Sequence, residues 1–213
     1  MTKLILIRHG ESVANRRHIF VGHTDVKLEE KGIKQAELTA QYIYENFKVD
    51  RVYSSDLRRA FETGKKVADI FGLEVVSDPG CREIYGGKWE GMSVEELKEK
   101  YKESYVDTWR GDIGKAEPDG GESVAQLADR IFKRFTSIAE DNPGKTVVIA
   151  THATPVRAMQ SLVLTGGLEK MKDIPWPPNA SVTVMEYEEG KFRCTLVSQA
   201  AHLEELNTTW SDD

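Results

Sequence analysis

The sequence predicts an α/β fold, a three-layer α/β/α sandwich with a mostly parallel, doubly wound central sheet. Short apolar runs alternate along the chain with segments of helical periodicity, and this alternation is typical of successive βα units. No internal repeat, low-complexity tract or long linker interrupts it. The length of 213 residues fits one large domain. We therefore expect residues 1–213 to form a single domain.

The first half of the chain supplies three predicted strands and two predicted helices. The apolar run at residues 3–7 indicates a buried strand, and apolar residues spaced by three or four positions indicate a helix at residues 30–47. A short strand is predicted at residues 52–54, and a helix follows from about residue 56. A third strand at residues 74–77 ends at an Asp-Pro-Gly turn.

The second half is less regular at first and then returns to the same alternation. Ser93 with Glu96 and Ser123 with Gln126 match the capping-box pattern, so we expect a helix to begin at each serine. The second of these helices should continue to the Pro-Gly stop at residues 143–144. The remaining predicted elements are a strand at 146–150, a helix at 154–164 and an antiparallel hairpin of strands 181–187 and 192–199.

Composition and charge exclude several classes of protein. Hydrophobic residues make up 39% and charged residues 30%, which is typical of an ordinary globular protein. The net charge of −6 argues against a nucleic-acid or anionic membrane surface. No apolar run is long enough for a signal peptide or a membrane span. Cys81 and Cys194 lie far apart and form no metal or redox motif, so we expect a reduced, cytoplasmic protein.

Chemically active side chains follow three of the predicted strands. Ligands of open α/β sheets bind beyond the carboxyl ends of the strands. Arg8 and His9 follow the first strand, Arg58 and Arg59 come shortly after the second, and His152 follows the strand at 146–150. The guanidinium group of an arginine can bind two phosphate oxygens at once, so this composition favours a phosphate-bearing ligand.

These residues resemble a known family. Residues 8–12, Arg-His-Gly-Glu-Ser, are similar to the RHGE signature of the histidine phosphatase superfamily, the phosphoglycerate-mutase-like proteins. Five ordered motifs with compatible spacing, this segment included, and one further single-residue match at Asn15 cover nearly the whole chain, and together they are specific. The further matches are Asn15, the helix motif at 32–36, an S-x-L-x-R-A segment at 55–60, the acidic loop with Glu83 and residues 87–91, and Thr151 with His152.

The resemblance implies a role for each matched residue. His9 would be the nucleophile that attacks phosphorus and becomes transiently phosphorylated. His152, Arg8 and Arg59 would hold the phosphoryl oxygens and neutralise their charge in the transition state. Glu83 would be the general acid for the leaving oxygen and then the general base for water.

The resemblance also implies the substrate contacts and the partners. Asn15 would add a hydrogen bond to the phosphate, and Val21, Gly22 and His23 lie in a loop that borders the substrate in the family. We expect a small phosphorylated metabolite as the partner, with no nucleic acid and no membrane; a homodimer stays open. No metal or other cofactor is expected, since no third ligand with suitable spacing accompanies His9 and His152.

The sequence leaves alternatives open for the type of reaction. Cofactor-dependent phosphoglycerate mutases of this family carry a longer, Pro-rich insertion after the acidic loop, whereas residues 92–121 are short and contain Pro118 alone. Val21 also stands where those mutases often have Thr. A more open site admits water, which favours a phosphatase. A phosphoglycerate mutase and a non-catalytic phosphate-binding protein remain the alternatives.

Several residues have simpler interpretations. His18 and His202 are expected at the surface, and Trp89 is expected to pack within its loop. Of the adjacent Arg58 and Arg59, one should lie on a solvated helix face, and the motif places Arg59 inward. Two departures from the family are Ala153, where many members have Gly, and Cys81, which is expected to act as a small buried hydrophobe.

Overall fold

A six-stranded sheet forms the centre of the computed structural model, which describes residues 1–207. The strand order is β3-β2-β4-β1-β5-β6, and β5 alone runs against the other five strands of the described chain. The predicted mostly parallel sheet is therefore confirmed. The strands are β1 (Thr2–Arg8), β2 (Arg51–Ser54), β3 (Val75–Ser77), β4 (Thr146–Thr151), β5 (Val182–Glu188) and β6 (Lys191–Gln199).

Helices connect the strands and agree with most of the predicted positions. The two capping boxes form as expected: the hydroxyls of Ser93 and Ser123 accept backbone N–H groups three residues later. A four-residue helix and a π-helical segment, Lys102–Trp109, were not predicted, because neither is long or regular enough to show a period of 3.6. The α-helices are α1 (Val13–Arg16), α2 (Glu30–Asn46), α3 (Arg58–Phe71), α4 (Val94–Lys100), α5 (Val124–Glu140) and α6 (Ala153–Thr165).

Two apolar cores lie on opposite faces of the sheet. In β1, Leu4 and Leu6 belong to one core and Ile5 and Ile7 to the other, because successive side chains of a strand alternate between faces. Helices α5 and α6 pack against the first core, and α2 and α3 against the second. Burial of each such side chain stabilises the fold by roughly 1.5–3 kcal/mol. The predicted three-layer sandwich is confirmed.

His202 corrects one prediction. The residue was expected at the surface, but its ring is half-buried and stacks on Tyr42 with a centroid separation of 4.6 Å. Its Nε2 lies 2.9 Å from the hydroxyl of Thr39. The short segment after β6 folds back onto α2, and this tertiary contact has no local sequence signal.

Two other predictions about single residues are confirmed. His18 is exposed, and Trp89 is fully buried in the core, where its ring meets those of Phe20 and Tyr105 edge to face. The aromatic cluster around Trp89 joins the segment between β3 and α5 to the rest of the molecule.

Within residues 1–207, none of the helices has the length and apolar character needed to cross a bilayer.

Candidate active site

Three neighbouring strands bring the predicted residues to one edge of the sheet. Strands β2, β4 and β1 are adjacent and parallel, so their carboxyl ends coincide. Arg8 pairs with Thr151 in register, and the backbone N–H of His9 donates to the carbonyl of Thr151 over 3.0 Å. The rings of His9 and His152 consequently lie 5.2 Å apart, centroid to centroid.

The surroundings of His9 determine which nitrogen can react. Nδ1 lies 2.7 Å from the carbonyl of Gly10, an acceptor only, so Nδ1 carries the proton and Nε2 keeps its lone pair. The hydroxyl of Thr63 fixes the preceding peptide by accepting the N–H of Gly10 over 3.1 Å. Burial, together with Arg59 and Arg8, lowers the pKa of His9 well below its ordinary value. His9 is therefore a neutral imidazole with a free Nε2.

Arg8 and Arg59 are cations buried in the wall of the pocket. Arg59 donates to the carbonyls of Gly22 and Thr24 over 2.7 and 3.0 Å, and Arg8 donates to the carbonyl of Pro177 over 2.6 Å. Burial lowers the pKa of each to about 10, so both are charged at neutral pH. Their Nε atoms are buried without a hydrogen-bond partner among residues 1–207. Such a pair is suited to an anion with several oxygens.

His152 precedes α6 and is completely buried. Its Nε2 lies 2.9 Å from the hydroxyl of Ser55, which follows β2. Burial, followed by the charge of Arg59, lowers the pKa of His152 well below its ordinary value. Both histidines at this sheet edge are thus uncharged at neutral pH.

The carboxylate of Glu83 is held by backbone donors. One oxygen accepts the N–H of Ile84 over 2.8 Å, and the other accepts the N–H of Thr154 over 3.3 Å. Thr154 lies in the first turn of α6, where the helix dipole favours a negative group. These bonds place the Glu83 carboxylate in the wall of the pocket that contains His9.

Glu90 fixes the loop that contains Val21 and Gly22. Its carboxylate accepts the N–H of His23 over 2.7 Å and the hydroxyl proton of Thr24 over 2.6 Å. Gly22 has a φ of 47°, and a Cβ at this position would overlap Glu90, so a side chain is excluded. Val21 and Gly22 line the pocket.

His23 and Asn15 differ in their placement. The ring of His23 does not line the pocket; its Nε2 lies 2.8 Å from the backbone carbonyl of Glu83, behind the acidic loop. Asn15 does line the pocket, and its side-chain oxygen accepts the N–H and the hydroxyl of Ser12 over 3.0 and 2.8 Å. With the oxygen engaged, the Asn15 amide group is left to donate.

The pocket has a volume of about 470 Å³ and is lined by more residues than those at the strand ends. We call the part that these further residues line the extension. Arg157 borders this extension, and its guanidinium stacks on Trp176 at 4.3 Å while Nε donates to the carbonyl of Ile174 over 2.6 Å. The sequence interpretation missed Arg157, although it lies one helical turn after Thr154 and so shares its face of α6. The extension is lined by Phe20, Tyr105, Trp109, Arg110, Ile113, Arg157, Lys172, Ile174 and Trp176.

The two departures from the family pattern cause no visible distortion. Ala153 begins α6, lines the pocket and does not adopt a positive φ, so its methyl group is accommodated. Cys81 is fully buried in the core, and burial raises the pKa of its thiol.

Arg58 is exposed and pairs with Glu62, which confirms the expected division between the adjacent arginines. Across residues 1–207, no group of three His, Cys, Asp or Glu side chains is arranged to hold a metal ion.

Comparison with known proteins agrees with this arrangement. Phosphoserine phosphatase 1 of Hydrogenobacter thermophilus is 36% identical over 206 residues, which cover 97% of this chain and 96% of that protein. A metal-independent phosphoserine phosphatase of Arabidopsis thaliana is 33% identical over 204 residues, 95% of this chain and 84% of that protein.

A solved structure shows the same fold. The phosphoserine phosphatase of Entamoeba histolytica, in complex with 3-phosphoglyceric acid, superposes with a TM-score of 0.82 at 32% identity. The match covers 95% of this chain and 100% of that one. The family model of the histidine phosphatase superfamily, branch 1, matches residues 4–200. The chain therefore belongs to the histidine phosphatase superfamily, in its branch 1.

Proposed function

We propose that the protein is a metal-independent phosphatase that hydrolyses a small phosphomonoester through a phosphohistidine intermediate on His9. The observation that carries the proposal is the free Nε2 of a neutral His9, in a pocket walled by the buried Arg8 and Arg59. A neutral imidazole supplies the electron pair, and the two guanidinium groups balance the charge of the phosphoryl oxygens.

The first step forms the phosphoenzyme. Nε2 of His9 attacks phosphorus, the bond from phosphorus to the ester oxygen breaks, and the protonated carboxyl group of Glu83 gives its proton to that oxygen. The product alcohol then leaves. The proton on Nδ1 of His9 stays hydrogen-bonded to Gly10 throughout, so the ring keeps its orientation. Arg8, Arg59, His152 and Asn15 hold the non-bridging oxygens.

The second step returns the enzyme to its starting state. A water molecule attacks phosphorus on the side opposite Nε2, and the Glu83 carboxylate takes one of its protons. The bond from Nε2 to phosphorus breaks, and inorganic phosphate is released. The backbone bonds from Ile84 and Thr154 keep the carboxylate in place for both proton transfers.

The substrate is proposed to be a phosphorylated hydroxy acid or amino acid of the phosphoserine class. The names of the relatives support this class, and so does the pocket extension. Arg110 and Lys172 line the extension, and a carboxylate is the group that such cations bind. A pocket of about 470 Å³ fits a small metabolite.

Location and partners are also proposed. A cytoplasmic location is supported by two free cysteines, Cys81 and Cys194. The net charge of −6 supports a protein that binds neither nucleic acid nor an anionic membrane. The homodimer stays an open prediction.

The test measures phosphate release from phosphoserine, 3-phosphoglycerate and p-nitrophenyl phosphate in excess EDTA. We expect the wild type to hydrolyse phosphoserine and the His9→Ala variant to lose at least about 10³-fold in kcat, since the nucleophile is removed. His18→Asn is the matched control, because Asn tolerates the positive φ of this exposed residue. Acid-labile, base-stable labelling of the wild type should identify phosphohistidine.

Four outcomes would contradict the proposal. Hydrolysis that survives in His9→Ala would remove His9 as nucleophile, and loss of activity in EDTA would remove the metal-independent mechanism. Transfer of the labelled phosphoryl group to a phosphoglycerate, with little release to water, would instead identify a mutase. Binding of phosphoserine without turnover would identify a non-catalytic protein.

A further inference from the structure

Ser55 reaches His152 because two neighbouring strands end together. Ser54 of β2 pairs with Ala150 of β4, and the backbone N–H of Ser55 donates to the carbonyl of Ala150 over 2.9 Å. The hydroxyl of Ser55 therefore lies 2.9 Å from Nε2 of His152. Both side chains are completely buried, so water does not compete for this hydrogen bond.

The partners of the Ser55 hydroxyl indicate the direction of that bond. The oxygen accepts the N–H of Leu57 over 3.3 Å, which uses one lone pair and leaves the hydroxyl proton to be donated. Nε2 of His152 is the acceptor at the right distance. If the hydroxyl donates to Nε2, a neutral imidazole must carry its own proton on Nδ1.

The second nitrogen of His152 supplies an independent observation. Nδ1 is buried and has no hydrogen-bond partner among residues 1–207. A buried polar atom without a hydrogen-bond partner costs free energy. Such an atom in a site therefore indicates that a ligand binds there or that the atom takes part in the function. The ring lies beside His9, where the phosphoryl group would be transferred.

We infer that Ser55 is a positioning residue that fixes the tautomer of His152, so that the neutral imidazole presents Nδ1–H to a phosphoryl oxygen. The inference rests on the proposed function. With the opposite tautomer, Nδ1 would turn a lone pair toward the phosphoryl oxygens and repel them. Burial and Arg59 keep His152 uncharged, so the ring carries a single proton. Nδ1 can therefore donate a hydrogen bond only in the Nδ1–H tautomer.

The experiment measures the tautomer directly. Nitrogen-15 and carbon-13 shifts of the histidine rings, recorded near neutral pH, distinguish Nδ1–H from Nε2–H in the folded protein. We expect Nδ1–H for His152 in the wild type and a shift toward Nε2–H in Ser55→Ala. The lost donor should lower kcat for phosphoserine by about 10²-fold, the usual cost of one transition-state hydrogen bond.

Two variants serve as controls. Ser54→Ala removes a second buried hydroxyl at the same strand end, one that bonds the Ser55 carbonyl and does not touch His152. It should keep the Nδ1–H tautomer and most of the activity. Ser55→Thr keeps the hydroxyl and should retain the wild-type tautomer, with activity closer to the wild type than that of Ser55→Ala.

The outcomes separate this inference from the proposed function. An Nε2–H tautomer in the wild type would overturn the role of Ser55, even with full activity dependent on His9. An unchanged tautomer and unchanged kcat in Ser55→Ala would overturn it as well. If Ser55→Ala does not fold, the wild-type tautomer and the Ser55→Thr variant still decide the question.

Discussion

At the scale of single residues, His9 shows how burial and neighbouring cations keep an imidazole neutral. Arg59 and Arg8 make protonation of the ring unfavourable, and burial adds the largest share of the effect. In the proposed mechanism the same two guanidinium groups would attract the phosphate dianion. One charge arrangement would then keep Nε2 unprotonated and also attract the group that Nε2 attacks.

The lowered pKa of His9 predicts that stability falls as the solution becomes mildly acidic. The folded-state pKa lies below the ordinary value of 6.5, so the unfolded chain binds the proton first as the pH decreases. The free energy of unfolding should be unaffected by this group above about pH 7 and should decrease as the pH falls through 6.5. His152 contributes in the same direction.

Urea unfolding between pH 7.5 and 5.5 checks this prediction. The slope of unfolding free energy against pH should be smaller in His9→Gln than in the wild type by up to about 1.4 kcal/mol per pH unit, the value for one proton. Identical slopes for the two proteins would show that His9 is not held neutral.

At the scale of the elements, helix α2 supports the catalytic loop from behind. Gly32 in its first turn packs directly against the backbone of Glu11, and Gly10 packs against the carbonyl of Gly32. Gln35, one turn later, accepts the N–H of Glu11 over 2.8 Å. The loop after β1 thus rests on the backbone of α2, where no side chain separates them.

This contact reverses the usual effect of a helical Gly→Ala substitution. In an exposed helix the change stabilises by about 1 kcal/mol, but a Cβ on Gly32 would overlap the carbonyl of Glu11. We expect Gly32→Ala to lower the free energy of unfolding by about 1–3 kcal/mol through overpacking, and to reduce kcat by displacing His9. Chemical denaturation and phosphoserine hydrolysis measure the two effects.

Lys34→Ala is the matched control for this prediction. Lys34 lies on the exposed face of the same helix, so its replacement should change stability by less than about 0.5 kcal/mol. A Gly32→Ala protein as stable and active as the Lys34→Ala protein would show that α2 does not support the loop.

At the scale of the whole molecule, total charge and site charge have opposite signs. The chain carries a net charge of −6, while Arg8 and Arg59 place two buried positive charges beside His9. The pocket extension adds Arg157. The proposed anion binding would therefore be a local property of the sheet edge, and the net charge of the molecule would not oppose it at short range.

Inorganic phosphate is predicted to raise the Tm of the protein. A ligand that binds the folded state alone stabilises it by about 2.7 kcal/mol at 100 times its Kd. Thermal unfolding in increasing phosphate, with chloride adjusted to constant ionic strength, measures the effect. Arg59→Ala should remove most of the shift, whereas Arg58→Ala should keep it, because Arg58 is exposed and pairs with Glu62. Equal shifts in the two variants would contradict an anion site at Arg59.

Much of the architecture could be predicted because its determinants are local. The capping boxes at Ser93 and Ser123 and the apolar periodicity of α2, α3 and α5 lie within single segments. The described residues form one sheet with a large core on each face, while the single domain over residues 1–213 stays a prediction. The short α1 and the π-helical segment could not be predicted, since neither shows a period of 3.6, and the burial of His202 could not be predicted because it depends on a contact with distant Tyr42.

The order of residues by itself determined the α/β fold, the residue types at the strand ends and, through its motifs, the family. Only the tertiary structure decided that Nε2 of His9 is free, that Ser55 contacts His152, that His23 packs behind Glu83 and that Arg157 borders the pocket. The physical reason is that periodicity and caps act within a few residues. Side-chain direction and tautomer depend instead on partners brought together by the fold.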